Sequence, residues 1–239
     1  MKLIKILAIF FFDIVDKFFH QKKILFSLRK KIIKIDCFLD VGSHKGTYTD
    51  LVIKNFQVNK VLMFEPQKYI FKKIKKKYKN IKFIKIFNYA ISNKNKMQKI
   101  YINKHDLTSS LKKIDETNSY LKYKAKLFTS NNYKSLIKET YIVKTIRLND
   151  IVKKNRLEKI NLLKIDTEGH ELEVLLGLNK SIKYVQYILI EFHRDKIYFK
   201  YNPKKIHNYL IKNNFVLEDT FRFPFTYWED RLYRNKKFK

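Results

Sequence analysis

The chain contains only four glycines, Gly42, Gly46, Gly169 and Gly177, and they fall in two short stretches. Ordinary usage would give roughly seventeen in a chain of this length. Lysine outnumbers arginine 46 to 7 and only three prolines occur, the profile of coding drift toward A/T-rich codons. A glycine kept against such drift marks a place where a Cβ does not fit. The stretches run Asp40-Val41-Gly42-Ser43-His44-Lys45-Gly46 and Asp166-Thr167-Glu168-Gly169, with Gly177 one helix-length further on. Each follows a strand-like apolar run. The fold must therefore turn strand ends sharply into helices, and the chemistry is expected at those turns.

The rest of the pattern agrees. Strands are expected at Ile35 to Val41, Lys60 to Glu65, Ile81 to Ile86, Ile160 to Ile165 and Tyr184 to Phe192. Helices are expected at Thr47 to Phe56, Gly169 to about Leu178, and Pro203 to Lys212, where proline suits the first turn. A lysine-rich helix between the second and third strands carries Ile70, Ile74 and Tyr78 on its core face, and its charge run, Lys72 to Lys79, reads as a solvated face. Phe215 to Glu218 and Arg231 to Tyr233 read as short antiparallel strands. This alternation gives an α/β fold, a mostly parallel sheet with helices on both faces. Residues 1–31 form an N-terminal helical segment and 32–239 one domain, in which the polar stretch 104–140 suits a lid or insertion.

The formal charge is +31, but the lysines are spread along the chain and arginine, the better phosphate fork, is scarce. A solvated lysine coat is favoured over nucleic-acid binding. The single cysteine, Cys37, excludes disulfides and fits a reducing cytosol. In residues 1–21, Lys2, Lys5, Asp13, Asp16, Lys17, His20 and Gln21 share one helical arc and apolar residues fill most of the remainder. The apolar run is too short to span a bilayer. Packing on the domain or on a second subunit is preferred to a membrane interface, because acidic residues lie on the polar arc. The expected location is cytoplasmic, with peripheral contact at the inner membrane face as the alternative.

In an open α/β sheet a ligand lies beyond the carboxyl ends of the strands. Asp40 ends the first strand, and Gly42, His44 and Gly46 belong to the turn. Glu65 ends the second strand, where an acidic residue suits the two hydroxyls of a ribose. Asn88 and Ala90 follow the third strand, where an adenine would lie. The turn lacks the middle glycine of the dinucleotide fingerprint, and no phosphate loop is present. A cofactor without phosphates fits better, and S-adenosylmethionine is the candidate. At the later strand ends Asp166 and Glu168 are two apart, as are Glu191 and His193. If pairing stays extended, each pair projects to one side. His170 and Glu171 read as solvated or capping.

These residues resemble the FkbM-type S-adenosylmethionine-dependent methyltransferases. The match is the ordered set Asp-Val-Gly-Ser-His-Lys-Gly (40–46), Phe-Glu-Pro (64–66), Asn-Tyr-Ala (88–90), Thr-Ser-Ser-Leu (108–111), Arg-Leu-Asn-Asp (147–150), Leu-Lys-Ile-Asp-Thr-Glu-Gly-His-Glu (163–171) and Ile-Glu-Phe-His (190–193). Ser43-His44 stands where the family often has Ala-Asn. Asn149 stands where it is usually acidic, so that segment receives no catalytic role. The resemblance implies a Rossmann-like methyltransferase sheet and O-methylation of a sugar or natural-product hydroxyl, as in modification of a surface glycan.

An alcohol is a poor nucleophile, so a base should take its proton during attack. His193 is the first candidate and Asp166 the second, with Glu168 and Glu191 orienting the hydroxyl or the imidazole. A divalent ion on Asp166, Glu168 and His193 suits the donor chemistry without being demanded by the spacing. The competing classes are a nucleic-acid methyltransferase, a dehydrogenase and a non-catalytic scaffold of the same fold.

Overall fold

The computed structural model describes residues 19–103, 109–115, 118, 137–194, 197–223 and 227–238. Most of the expected N-terminal amphipathic helix, residues 1–18, and much of the 104–140 stretch lie outside them. In chain order the elements are α1 (Gln21–Lys31), β1 (Lys34–Ile35), β2 (Phe38–Val41), α2 (Thr47–Asn55), β3 (Gln57–Val58), β4 (Val61–Phe64), α3 (Lys68–Lys77), β5 (Ile84–Phe87), β6 (Ala90–Ile91), β7 (Lys96–Asn103) and β8 (Ile137–Ile146). Then come α4 (Leu148–Lys154), β9 (Ile160–Ile165), α5 (Glu171–Leu178), a 3-10 turn, β10 (Val185–His193), α6 (Pro203–Lys212), β11 (Phe215–Arg222) and β12 (Trp228–Asn235).

Seven strands form one sheet in the order β11-β12-β10-β9-β2-β4-β5. The pairs from β10 to β5 are parallel, and β12 runs antiparallel to both β10 and β11. The chain leaves β2 toward β4 and β5, then returns on the other side through β9 and β10. The switch in strand order therefore falls between β2 and β9, where such sheets hold ligands.

Strand alternation explains the layers. Phe38, Met63, Leu162 and Leu189 point to one face, where they meet Ile24 and Leu28 of α1, Val52 of α2, and Ile70 and Ile74 of α3. Their neighbours Leu39, Leu163 and Ile190 point to the other, against Ile151 of α4, Val174 and Leu175 of α5, and Leu210 of α6. Burial on both faces is why these strands read as continuous apolar runs. The side chains of Lys72 to Lys79 stay exposed except for Ile74 and Tyr78, as a solvated face requires.

Three differences from the sequence reading have physical causes. The run Ile35 to Val41 is broken, because the Asn161 side chain accepts the backbone N–H of Asp36 at 2.8 Å and of Cys37 at 3.2 Å. The first piece, β1, then pairs with β3 outside the main sheet. The expected antiparallel pair is present but longer, with β11 and β12 each eight residues. A second sheet, β6-β8-β7, was not anticipated. Its buried face is only Ala90, Ile100, Ile102 and Val143, too sparse to stand out among lysines. β8 begins at Ile137, inside the stretch expected to be a lid.

Candidate active site

A cavity of about 930 Å³ opens along the carboxyl ends of β4, β2, β9 and β10. Its first half is built by backbone. Gly42 has φ +81°, and a Cβ added there would overlap the carbonyl oxygen of Asp166. The turn after β2 thus lies directly on the end of β9. Gly46 has φ +73°, and the Tyr78 hydroxyl donates to its carbonyl at 2.8 Å. Asp40 is fully buried and accepts from the Thr49 hydroxyl at 2.6 Å, while its Oδ1 has no hydrogen-bond partner. Burial pushes its carboxyl up, against the pull of Lys164, which stands opposite it on β9.

Glu65 sits just past β4, with its side chain between two loops. Its Oε2 accepts the backbone N–H of His44 at 2.9 Å and its Oε1 that of Gln67 at 2.8 Å. Burial nevertheless pushes its carboxyl up to about 7, only partly offset by these two N–H groups. Asn88 is a correction. Its amide donates to the carbonyls of Glu65 and Pro66, at 2.9 and 3.0 Å, so it braces the loop behind the site. The cavity wall there is made by its neighbours Tyr89, Ala90 and Ile91.

The second half is ionic. Lys164, only 8% exposed, donates to Asp166 Oδ2 at 2.7 Å. Burial works against the Asp166 charge, but this ammonium outweighs it and holds the carboxyl below its usual range. Glu191 lies against Asp166, and burial together with that charge raises its own carboxyl well above the ordinary value. Glu168 is likewise raised, by burial and then by Glu191. Glu168 adopts φ +54°, and the Tyr198 hydroxyl donates to its Oε2. His193, 4% exposed, places Nε2 3.3 Å from Glu191 Oε2 and 3.5 Å from Glu168 Oε2. Its ring packs edge-on to Tyr198 and Tyr201. Neither His193 Nε2 nor Glu191 Oε2 has a hydrogen-bond partner, although both are buried.

The four strand-end groups expected from their spacing therefore do meet in one cavity. The structure pairs the imidazole with Glu168 and Glu191, whereas Asp166 faces Lys164. Glu171 caps its turn, accepting the N–H of Gly169 at 2.9 Å, and His170 bonds the Ser92 hydroxyl at 3.0 Å. Both are buried, which corrects the solvated reading. Asn149 accepts from the Ser181 hydroxyl at 2.8 Å, a structural task.

Several residues escaped sequence reasoning. Lys164 did leave a signal, as the one charge inside an apolar six-residue strand. Ser110 lay inside the Thr-Ser-Ser-Leu (108–111) match but received no role there, and Tyr198 and Asp230 were not singled out. Ser110 donates to the Glu168 carbonyl at 2.6 Å and so ties its segment to the strand end. His20, assigned to a polar arc, is instead buried, with Nε2 2.8 Å from Asp230 Oδ2. It brings the start of α1 to the cavity, where Gln21 and Ile24 form part of the wall. Among the described residues no helix is long and apolar enough to cross a membrane.

The sheet order, the switch point and the strand-end cavity together define an α/β methyltransferase-type fold. The methyltransferase FkbM domain model matches residues 40–217, and the chain belongs to that family. It is also similar to the hexuronic acid methyltransferase AglP of Haloferax volcanii, at 39% identity over 51 residues, 21% of each chain. Among solved structures, methyltransferase FkbM from Methylobacillus flagellatus aligns with a TM-score of 0.53 at 13% identity, covering 85% of this chain and 44% of that one. M. capricolum TrmK, in complex with S-adenosylhomocysteine, aligns with a TM-score of 0.51 at 9% identity, covering 89% of this chain and 67% of that one. The chain thus spans less than half of the FkbM structure, and the match covers about a fifth of AglP.

Proposed function

We propose that the protein is an S-adenosylmethionine-dependent O-methyltransferase acting on a sugar hydroxyl of a glycan or natural product. The observation that carries this reading is that one cavity joins the Glu65–Gly42 end to the Asp166–Glu191–His193 end. The first end fits the cofactor because Asp40 Oδ1, in the cavity wall, is buried without a hydrogen-bond partner.

When bound, S-adenosylmethionine supplies an electrophilic methyl group on a sulfonium. Glu65 uses the lone pairs left over by its two N–H partners to accept the ribose hydroxyls. Tyr89, Ala90 and Ile91 give the adenine an apolar wall. Asp166, Glu168, Glu191 and His193 hold the acceptor hydroxyl and take up its proton during attack. Holding both reactants in line supplies about 7–11 kcal/mol of the barrier. A sugar acceptor is supported by the relative AglP, which its name describes as acting on hexuronic acid. The reading also places the protein in the cytoplasm.

Calorimetry with S-adenosylmethionine, followed by labelled methyl transfer to hexuronic-acid glycosides and other sugar alcohols, tests the reading. Micromolar binding and an alkali-stable methyl ether are expected. Absence of cofactor binding to folded protein would end it. The charge of +31 favours one second reading, a nucleic-acid acceptor. RNA binding that falls steeply with salt, together with methylated RNA, would select it.

A further inference from the structure

We infer that Glu168, Glu191 and His193 form a binding site for one divalent first-row metal ion, of the Mn²⁺ or Zn²⁺ type. Each of the three offers a donor atom, and these atoms lie within 4.8 Å of one another. Two donors bound to one ion at about 2.1 Å are about 3.0 Å apart in octahedral and about 3.4 Å apart in tetrahedral geometry. His193 Nε2 lies 3.3 Å from Glu191 Oε2 and 3.5 Å from Glu168 Oε2. These are the spacings of ligands around an ion, and they do not come with hydrogen-bond geometry, since Nε2 has no such partner.

The second observation is that imidazole itself. It is 4% exposed, aimed between the two carboxylates, and outside hydrogen-bond geometry to either at its tip. Buried polar atoms are satisfied in the great majority of cases, so an orphan here points to a missing neighbour. Two buried carboxylates side by side also repel, and a cation between them would turn that repulsion into attraction. Two of the three ligands are already held. Tyr198 donates to Glu168, and the rings of Tyr198 and Tyr201 fix the imidazole plane. Such support is what orients metal ligands. Asp166 stays out of the set because Lys164 neutralises it.

The donor set chooses the ion. One imidazole with two carboxylates is a mixed nitrogen and oxygen site, which suits Mn²⁺ or Zn²⁺ better than the all-oxygen cages of Ca²⁺. The role rests on the methyltransferase reading and changes one part of it: the ion would hold the acceptor oxygen at the strand ends, and the proton would go to Asp166, because a metal-bound Nε2 accepts none. The binding does not rest on it, and is measured without cofactor.

Chelator-stripped full-length protein is titrated with Mn²⁺, and free ion is followed by electron paramagnetic resonance. One ion per chain is expected. Glu168→Gln and Glu191→Gln should each weaken binding at least about tenfold, while the exposed Glu139→Gln leaves it unchanged. In wild-type protein with labelled histidine, Mn²⁺ should broaden the His193 ring resonances first among the six histidines. That measurement stands even if a variant fails to fold. No binding of Mn²⁺ or Zn²⁺ at millimolar concentration would overturn the proposal, as would wild-type affinity in both glutamine variants or an unbroadened His193. Ion binding without methyl transfer would instead count against the enzymatic reading alone.

Discussion

Glu65→Gln keeps the shape of the cofactor half and removes only its charge. Burial raises the Glu65 carboxyl from 4.5 to about 7 despite two backbone N–H groups that favour the ionised form. A shift of that size corresponds to about 3 kcal/mol. The folded state binds a proton on Glu65 between pH 4.5 and 7 that the unfolded chain has released. Stability therefore falls as pH rises through that window, and the penalty is constant above it. Glutamine removes the penalty but turns an amide toward the N–H of His44 or Gln67, a loss of about 1–3 kcal/mol. The two effects nearly cancel, so the melting temperature at pH 8 should move by only a few degrees. Cofactor affinity should not cancel. Two charge-assisted hydrogen bonds to the ribose, at about 1.5–3 kcal/mol each, are lost, and the dissociation constant should rise about 10²-fold or more. In the wild type, affinity should be flat above pH 7 and fall below it, because binding needs the carboxylate. Calorimetry at pH 6.5 in two buffers should register the released proton. Affinity that is level from pH 5.5 to 8.5, or unchanged in Glu65→Gln, would refute the argument.

Lys164→Met should destabilise the fold by about 1–3 kcal/mol, less than for a fully buried pair because the Asp166 side chain is 37% exposed and water screens the charge left without its counterion; denaturant unfolding checks this, and a neutral effect would show that Lys164 is dispensable. His193→Ala and Asp166→Asn should each lower turnover per folded molecule about 10²-fold or more while cofactor affinity holds. Activity that instead tracks the folded fraction would make both residues structural. Deleting residues 2–18 should abolish either a dimer or membrane association, since a wide apolar face is rarely left bare. Sedimentation and vesicle flotation decide, and a stable monomer with and without the segment would contradict the expectation.

The sheet was legible because strands buried on both faces leave unbroken apolar runs, as at Val61 to Phe64. The turn at Gly42 was legible because drift had removed nearly every glycine that could be spared. The partners inside the site were less so. Spacing placed Asp166 and Glu168 together, but not which of them would face the imidazole. That choice is made by Lys164, whose importance depends on burial, and by Tyr198, which reaches Glu168 from thirty residues away. Asn88 shows the reverse failure. Its position after the third strand suggested an adenine contact, yet its side chain is taken up by two carbonyls that only the folded loop brings near. The β6-β8-β7 sheet was hidden because its buried stripe is short and its exposed positions mix lysines with Met97 and Ile142, which blurs the alternation.

The Gly42 turn resting on the Asp166 carbonyl has an evolutionary consequence. Its cofactor end is specified by main-chain geometry, so few side-chain changes there are neutral. The segment from Ser109 to Ile114 touches the other end through the Ser110 hydroxyl on the Thr167 and Glu168 carbonyls, Lys112 on Glu173 and the bridge from Ile114 to Tyr198. Sequence can drift in that segment without disturbing how the methyl donor is held. Under the proposed function, a lineage with this scaffold could exchange one acceptor for another through that segment and leave the seat of the methyl donor alone.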